Sequence, residues 1–192
     1  MAGRRVTIPL AVCLCTLVGL PAVAQQQDPD PELRRAVRNA VEANDGFENR
    51  FDAEVWLTKM AGRLEDEIPA PEQRLRFLRA LHYEATRAGL NPQLVLAVVD
   101  VESDFNRFAL SDTGARGYMQ IMPFWLDEIG DAEDNLFNTE TNLRMGCTIL
   151  AYYLGEEDGN ITKALARYNG STGQTWYPDL VFDALNKRWR SN

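Results

Sequence analysis

The sequence predicts an all-α protein, because apolar residues recur at helical spacing along most of the chain and no segment alternates like a half-buried strand. A second observation comes from residues 94–101, where every residue except Asp100 is apolar. A helix that is apolar all round is typical of a buried position. Glu102 follows this segment directly. We therefore expect a helical domain built around a buried central helix that ends at Glu102.

The first 24 residues have the three parts of a secretory signal peptide. Arg4 and Arg5 form a basic start, residues 6–20 form a short apolar run, and Ala22-Val23-Ala24 forms a cleavage site of the A-x-A kind. We expect cleavage after Ala24 and export to the periplasm or cell envelope, with no stable membrane insertion after cleavage. The alternative is an uncleaved anchor, although the apolar run is shorter than the ~20 residues that span a bilayer.

Residues 25–89 are predicted as a polar leader followed by helices of unclear role that pack on the rest of the domain. The pattern predicts a charged helix over 31–44 and an amphipathic helix over 52–64. A third helix is expected over 71–88, with Pro71 in its first turn and Gly89 just beyond its end.

Residues 90–192 are predicted as the catalytic domain and carry the other helices. Asn91 and Pro92 are a typical cap and first residue for the buried helix. A long loop over 105–117 follows, then a short apolar segment over 118–125. Further helices are expected up to Leu154 from a cap at Asn138 or Thr139, over 160–169, and over 178–189.

Composition restricts the partners. The formal net charge is −8, and removal of a leader with two arginines and no acidic residue makes it more negative. This argues against nucleic acid and anionic membrane surfaces as main partners. Cys147 is the single cysteine after the leader, and His82 is the single histidine. Both are expected to be structural, and no metal site or other cofactor is predicted.

Glu102 is the most informative residue for chemistry. At the C-terminal end of a buried helix, the helix dipole and apolar neighbours both disfavour an ionised carboxylate and raise its pKa. A raised pKa suits a general acid that protonates a glycosidic oxygen near neutral pH. The alternative interpretation is a solvated glutamate at a helix end.

The residues around Glu102 form several motif blocks. These are Glu102-Ser103-Asp104-Phe105-Asn106, Ala109-Leu110-Ser111, Gly114-Ala115-Arg116-Gly117-Tyr118-Met119-Gln120-Ile121-Met122-Pro123, the pair Asn142 and Gly146, and Ala164-Leu165 with Tyr168-Asn169. In order and spacing they resemble the catalytic core of the soluble lytic transglycosylases. The departures are Tyr118, Arg107 and Gly170, where the family commonly has Leu, Pro and Ala.

The resemblance implies a lysozyme-like helical fold and cleavage of the MurNAc–GlcNAc β-1,4 bond of peptidoglycan, with glycan strands as the partner. It implies that Glu102 acts as acid and then base, leaving 1,6-anhydroMurNAc ends. It further implies that Ser111 and Tyr168 assist catalysis, and that the substrate-binding residues are Met119, Gln120, Met122 and Asn169. The alternatives are a goose-type lysozyme-like hydrolase and a non-catalytic peptidoglycan-binding protein of the envelope.

The leader generates a first prediction. We expect protein isolated from its native cells to begin near Gln25 and to be recovered outside the cytoplasm, because the A-x-A site lies just before this residue. N-terminal sequencing measures the cleavage point. Ala24→Arg serves as the control, since it should block processing and retain the leader. Native protein that still carries Met1 would contradict the expectation.

Overall fold

A computed structural model describes residues 50–131 and 133–190. Within these ranges the chain forms seven α-helices, one π-helical turn and no strand. The helices are α1 (Arg50–Arg63), α2 (Pro71–Arg87), α3 (Pro92–Ser103), α4 (Trp125–Ile129), α5 (Thr139–Glu156), α6 (Ile161–Asn169) and α7 (Trp176–Ala184), and the π-helical turn covers Leu185–Trp189. The predicted all-α fold class is confirmed. The predicted leader over 1–24 and helix over 31–44 lie outside the described residues.

Helix α3 is the buried central helix that the sequence predicted. Its cap is Asn91, whose side chain accepts hydrogen bonds from the backbone N–H groups of Gln93 at 2.8 Å and Leu94 at 3.3 Å. All six residues from Leu94 to Val99 are buried. Beyond Ser103 the chain leaves the helix through Asp104, which has the left-handed backbone conformation. Glu102 therefore lies in the last turn of a helix that is surrounded by apolar side chains.

The other helices surround α3 and share one hydrophobic core with it. Helix α2 packs against α1, α3 and α5, while α6 packs against α5 and α7. Helix α7 and the π-helical turn both pack against α3. The core extends from Ala53 in α1 to Trp189 at the end of the π-helical turn. The predicted division of the mature chain at residue 90 stays a prediction, and α1 and α2 contribute to the same core as α3.

The element boundaries differ from the expectations at the C-terminus and after the long loop. The last helix begins at Trp176 and changes to π-helical hydrogen bonding at Leu185, where a continuous helix over 178–189 was expected. The short helix α4 was not predicted. None of the helices in the described part of the chain is long and apolar enough to cross a membrane.

The loop between α3 and α4 is fastened by the buried side chain of Asn142 in α5. Its amide nitrogen donates to the carbonyl oxygens of Arg116 and Leu136, both at 2.9 Å, and its amide oxygen accepts from the N–H of Met119 at 2.8 Å. Gly117 lies so close that a Cβ atom there would overlap the Asn142 amide and a backbone carbonyl. One side chain therefore fixes three points of the backbone beside the site.

A second prediction follows from these contacts. We expect Asn142→Leu to lower the free energy of unfolding by about 3–5 kcal/mol, because three buried backbone groups lose their partner and each unsatisfied group costs about 1–3 kcal/mol. Urea denaturation followed by circular dichroism measures the change. Asn160→Ala is the matched control, since it removes an exposed helix cap worth about 1 kcal/mol. Equal losses in both variants would mean that the loop does not depend on the Asn142 amide.

Candidate active site

A pocket of about 250 Å³ opens at the end of α3 and includes Glu102. Its lining residues come from the loop after α3, from α4, from α5 and from the end of α6. They are Glu102, Ser111, Thr113, Ala115, Gln120, Ile121, Met122, Trp125, Ile149, Tyr168 and Asn169. The fold therefore brings six of the seven predicted site residues together around one cavity.

At neutral pH, the protonated and the ionised forms of the Glu102 carboxyl group are similarly populated. Burial raises its pKa from 4.5 to about 7, and a hydrogen bond from Tyr177 acts in the opposite direction. The Tyr177 hydroxyl donates this bond to Oε1 of Glu102 at 2.6 Å. Burial is the larger effect. A carboxyl with this pKa can both give up a proton and take one back near pH 7, as general acid–base catalysis requires.

Tyr177, and not Tyr168, contacts the Glu102 carboxyl group. The Tyr168 hydroxyl donates to the carbonyl oxygen of Met119 at 2.7 Å. Tyr168, to which the resemblance assigned a part in catalysis, lines the pocket, and the charge of Glu102 helps to raise its pKa. Its part in catalysis stays a prediction. Sequence reasoning missed Tyr177, because a tyrosine at the start of an apolar helix is not distinguishable from a core aromatic residue by periodicity. The one available signal was that a buried tyrosine hydroxyl usually has a hydrogen-bond partner.

Ser111 lies at the tip of a tight loop that faces the pocket. Its N–H donates to the carbonyl of Ala115, and its hydroxyl accepts from the N–H of Ala115, both at 3.0 Å. The hydroxyl also shares a hydrogen bond of 2.9 Å with Thr113. Because the Ala115 bond uses Ser111 as an acceptor, the hydroxyl proton is available to Thr113 or to a ligand. Ser111 therefore shapes the loop as well as lining the pocket.

The predicted substrate-binding residues divide into two groups. Gln120, Met122 and Asn169 line the pocket. Met119 does not, because its side chain is fully buried and packs over Gly146 of α5. The Met119 side chain is therefore not placed in the pocket lining, and its role in substrate binding stays a prediction. Met119 supports the site from behind, where its backbone carbonyl accepts the Tyr168 hydrogen bond.

Glu102 is the only carboxylate among the described residues that line the pocket. Asp100 faces the opposite side of α3, where it accepts a hydrogen bond of 2.7 Å from Nε1 of Trp189. Asp104 and Asp112 are exposed and are not part of the lining. Within residues 50–131 and 133–190, no second carboxylate is therefore placed to hold a water molecule or to act as a nucleophile in the pocket.

Three other residues that the sequence analysis singled out make contacts within the fold, namely Cys147, His82 and Tyr118. Cys147 is buried, which raises the pKa of its thiol, and the His82 ring contacts the Trp56 ring edge to face at 4.9 Å. Tyr118 packs in the core against Phe77 at 4.6 Å between ring centroids, so this departure from the family pattern alters the core and not the pocket wall. In the described part of the chain, no group of three or more His, Cys, Asp or Glu residues could hold a metal ion.

Among the tryptophans, Trp125 lines the pocket and Trp189 is fully buried. Trp176 is exposed on the first turn of α7. Only Trp125 is therefore placed to stack on a ligand in this pocket, while Trp189 belongs to the core.

Residues 79–179 match the sequence profile of the Transglycosylase SLT domain family. The matched segment is more than half of the chain, and the chain belongs to this family. All residues that line the pocket, and Tyr177 as well, lie inside the matched segment. Helix α1 and the π-helical turn lie outside it. Family membership supports the lysozyme-like character that the sequence analysis expected.

Curated relatives carry related names. The chain is 30% identical over 119 residues to the "Transglycosylase" of Enterobacteria phage PRD1, which covers 58% of this chain and 44% of the relative. It is 36% identical over 125 residues to the "Membrane-bound lytic murein transglycosylase F" of Desulfosudis oleivorans. This alignment covers 60% of this chain and 27% of the relative. A "Membrane-bound lytic murein transglycosylase C" of Actinobacillus pleuropneumoniae is 30% identical over 135 residues. This alignment covers 62% of this chain and 35% of the relative. The chain thus spans less than half the length of these relatives.

A solved structure is also similar. It is an inactive mutant of the lytic transglycosylase Slt from Pseudomonas aeruginosa, with a TM-score of 0.47 and 23% sequence identity. The similarity covers 82% of this chain and 34% of that chain.

A third prediction concerns stability and pH. The folded protein binds the Glu102 proton more tightly than the unfolded chain, because the pKa is about 7 in place of 4.5. Its contribution to stability is therefore fully present below about pH 4.5 and is lost as the pH rises through about 7. Relative to Glu102→Gln, which does not titrate, the wild type should lose about 3 kcal/mol between pH 4 and pH 8.

Urea denaturation of both proteins across this pH range measures the difference. Glu133→Gln is the control, since Glu133 is an exposed carboxyl that does not line the pocket. A wild-type minus Glu102→Gln difference that stays constant with pH would show that Glu102 is not desolvated.

Proposed function

We propose that this chain is a peptidoglycan lytic transglycosylase that cleaves the MurNAc–GlcNAc β-1,4 bond and forms 1,6-anhydroMurNAc ends. The observation that carries the proposal is the position of Glu102, a buried carboxyl with a pKa of about 7 that is the single carboxylate among the described residues in the lining of the pocket. Membership of the Transglycosylase SLT domain family supports the substrate class.

In the first step, Glu102 acts as a general acid. It transfers its proton to the glycosidic oxygen while the bond between that oxygen and C1 of MurNAc breaks, so the leaving GlcNAc departs with a free hydroxyl group. Positive charge develops at C1, and the acetamido oxygen of the same sugar can stabilise it. This route explains how one carboxylate suffices where most glycosidases use two.

In the second step, Glu102 acts as a general base. The carboxylate takes the proton from the 6-hydroxyl group of MurNAc, and that oxygen forms a bond to C1. The product contains a 1,6-anhydro ring, the acid is restored to its protonated form, and no water is consumed. Well-oriented intramolecular attack can have an effective molarity of about 10⁵ M or more, which favours the 6-hydroxyl group over water.

The other pocket residues support these steps by position. Tyr177 orients the Glu102 carboxyl group through its 2.6 Å hydrogen bond. Ser111 and Tyr168, which line the pocket, assist catalysis, and Gln120, Met122 and Asn169 bind the glycan. The protein carries a net negative charge, so contact with an anionic glycan depends on these local interactions and not on long-range attraction.

The proposal places the protein in the periplasm or cell envelope, where its substrate lies. The leader predicted over residues 1–24 supports export. The names of two relatives describe them as membrane-bound, which is consistent with an envelope location for this chain.

The product of the reaction is the fourth prediction. Digestion of purified peptidoglycan should release muropeptides about 18 Da lighter than their reducing counterparts, because no water is added to the MurNAc end. Glu102→Gln should lower the cleavage rate by roughly 10²-fold to 10⁴-fold, since Gln keeps the volume but transfers no proton. Asp104→Asn is the matched control and should retain activity.

Mass spectrometry in oxygen-18 water separates the candidate functions. Reducing ends that contain oxygen-18 would show a lysozyme-like hydrolase and overturn the proposal. Glycan binding without cleavage by the wild type would show a non-catalytic binding protein and would overturn it as well.

A further inference from the structure

Helix α7 and the π-helical turn form one continuous element that contacts the last turn of α3 on both sides. At its start, the Tyr177 hydroxyl donates to Oε1 of Glu102 at 2.6 Å. At its end, Nε1 of Trp189 donates to Oδ2 of Asp100 at 2.7 Å. Asp100 and Glu102 are two positions apart, which is about 160° around an α-helix. The two hydrogen bonds therefore act on nearly opposite faces of the same helical turn.

The π-helical turn explains how one element can make both contacts. Tyr177 and Trp189 are twelve positions apart, so on a regular α-helix they would differ by about 120° around the axis. The wider π-helical turn advances by a smaller angle per residue, which moves Trp189 back towards the face of Tyr177. Both side chains are buried. Departures from α-helical geometry of this kind are frequent at functional sites.

The Trp189 end of this element is fixed to the end of α1 by Arg188. The Arg188 guanidinium donates to the backbone carbonyl of Arg63 at 2.5 Å, and the Arg63 guanidinium donates in return to the carbonyl of Arg188. Arg188 also forms an ion pair with Glu67 at 2.6 Å and lies 3.7 Å from the carboxylate of Asp100. Asp100 thus has two partners, Trp189 and Arg188, and Arg188 is itself held by the end of α1 and by Glu67 just beyond it.

The chain just after Glu102 depends on the same packing. Asp104 and Phe105 both have positive φ angles, 48° and 58°, which are unfavourable for residues other than glycine. The Phe105 ring is buried against Trp189, with ring centroids 5.3 Å apart, and the Arg188 guanidinium lies 5.6 Å from its centroid. A strained backbone of this kind persists only where its surroundings determine it fully.

We propose that Arg188 and Trp189, here called the C-terminal anchor, are positioning residues for Glu102. By holding Asp100 and Phe105, the anchor fixes the rotation of the last turn of α3 and keeps the Glu102 carboxyl group in its buried position beside Tyr177. The inference rests on the proposed role of Glu102 as the acid. Because Arg188 contacts Arg63 and Glu67, the inference also gives α1 and the segment up to Glu67 a role in positioning Glu102. Arg188 and Trp189, together with Arg63 and Glu67, lie outside the segment matched by the family profile, whereas Asp100 and Phe105 lie inside it.

The anchor should control the pKa of Glu102. The ionisable groups that face Glu102 are Tyr177 on α7 and Tyr168 on α6, and those around Asp100 are Arg188, Glu67 and Asp104. If the last turn of α3 loosens, water reaches the carboxyl group. Since burial is the larger cause of the raised pKa, the pKa should then fall. Loss of the Tyr177 hydroxyl alone should have the opposite effect, because its hydrogen bond lowers the pKa.

The test compares Trp189→Phe, which removes the indole N–H and keeps an aromatic ring, with Trp56→Phe as the matched control on α1. Carbon-13 NMR titration of the Glu102 carboxyl, identified by its absence in Glu102→Gln, measures the pKa without reference to activity. In Trp189→Phe the pKa should fall by about 1 unit, and kcat should fall about 10-fold with KM within about 2-fold, because Trp189 does not line the pocket. Tyr177→Phe should raise the pKa, and Trp56→Phe should leave pKa and kcat unchanged.

Asp100 supplies a second pair of variants. Asp100→Asn keeps an acceptor for Trp189 and should retain a kcat within about 3-fold of wild type, whereas Asp100→Leu should behave like Trp189→Phe. If Trp189→Phe does not fold, Asp100→Leu decides the question. A wild-type pKa and kcat in the variants that disrupt the anchor, or equal changes in Trp56→Phe, would overturn the proposal. A wild type that cleaves no glycan while its Glu102 pKa responds as expected would refute the proposed function and support the positioning role.

Discussion

The free energy required to keep a carboxyl group in apolar surroundings is the constraint around which this site is organised. Glu102 lies in the last turn of a helix whose six preceding core residues are all buried, and this burial raises its pKa to about 7. A helix on the protein surface would leave the same residue solvated, with an ordinary pKa and little use as an acid at neutral pH. The central position of α3, the covering helices and the closed pocket wall are all needed for this one shift.

Much of the pocket lining comes from the loop after α3, and polar contacts to side chains of α3 and α5 hold this loop in place. Asn142 satisfies three backbone groups of the segment from Arg116 to Leu136, and Ser103 adds a hydrogen bond of 2.8 Å to the carbonyl of Tyr118. The bonds to Met119 and Leu136 are buried and the other two are partly buried, so breaking them would leave polar groups with little access to water. Apolar packing alone would not fix the direction of this backbone, and the loop must be fixed because it carries Ser111, Gln120 and Met122 into the pocket.

The sequence was sufficient for the features that depend on local patterns. Continuous apolar character identified α3, the Asn91-Pro92 pair identified its start, and the motif blocks identified most of the pocket lining. It was not sufficient for contacts between distant segments. Tyr177 reaches Glu102 from 75 positions away, and Met119 is turned away from the pocket by its packing over Gly146. Such orientations depend on how helices are packed and rotated, and periodicity carries no information about that.

Burial and the Tyr177 hydrogen bond both act on the pKa of Glu102, but they respond differently to structural change. This difference matters for a residue that must act as acid and as base. Burial depends on the whole enclosure, so any movement of the last turn of α3 reduces it gradually. The Tyr177 hydrogen bond depends on one short distance and favours the ionised form that exists between the two proton transfers. A carboxyl that was buried without this bond would donate its proton poorly, because the resulting charge would have no partner. Burial keeps Glu102 protonated near neutral pH, so that it can act as the acid, and Tyr177 stabilises the carboxylate that remains after the first proton transfer, so the site requires both at once.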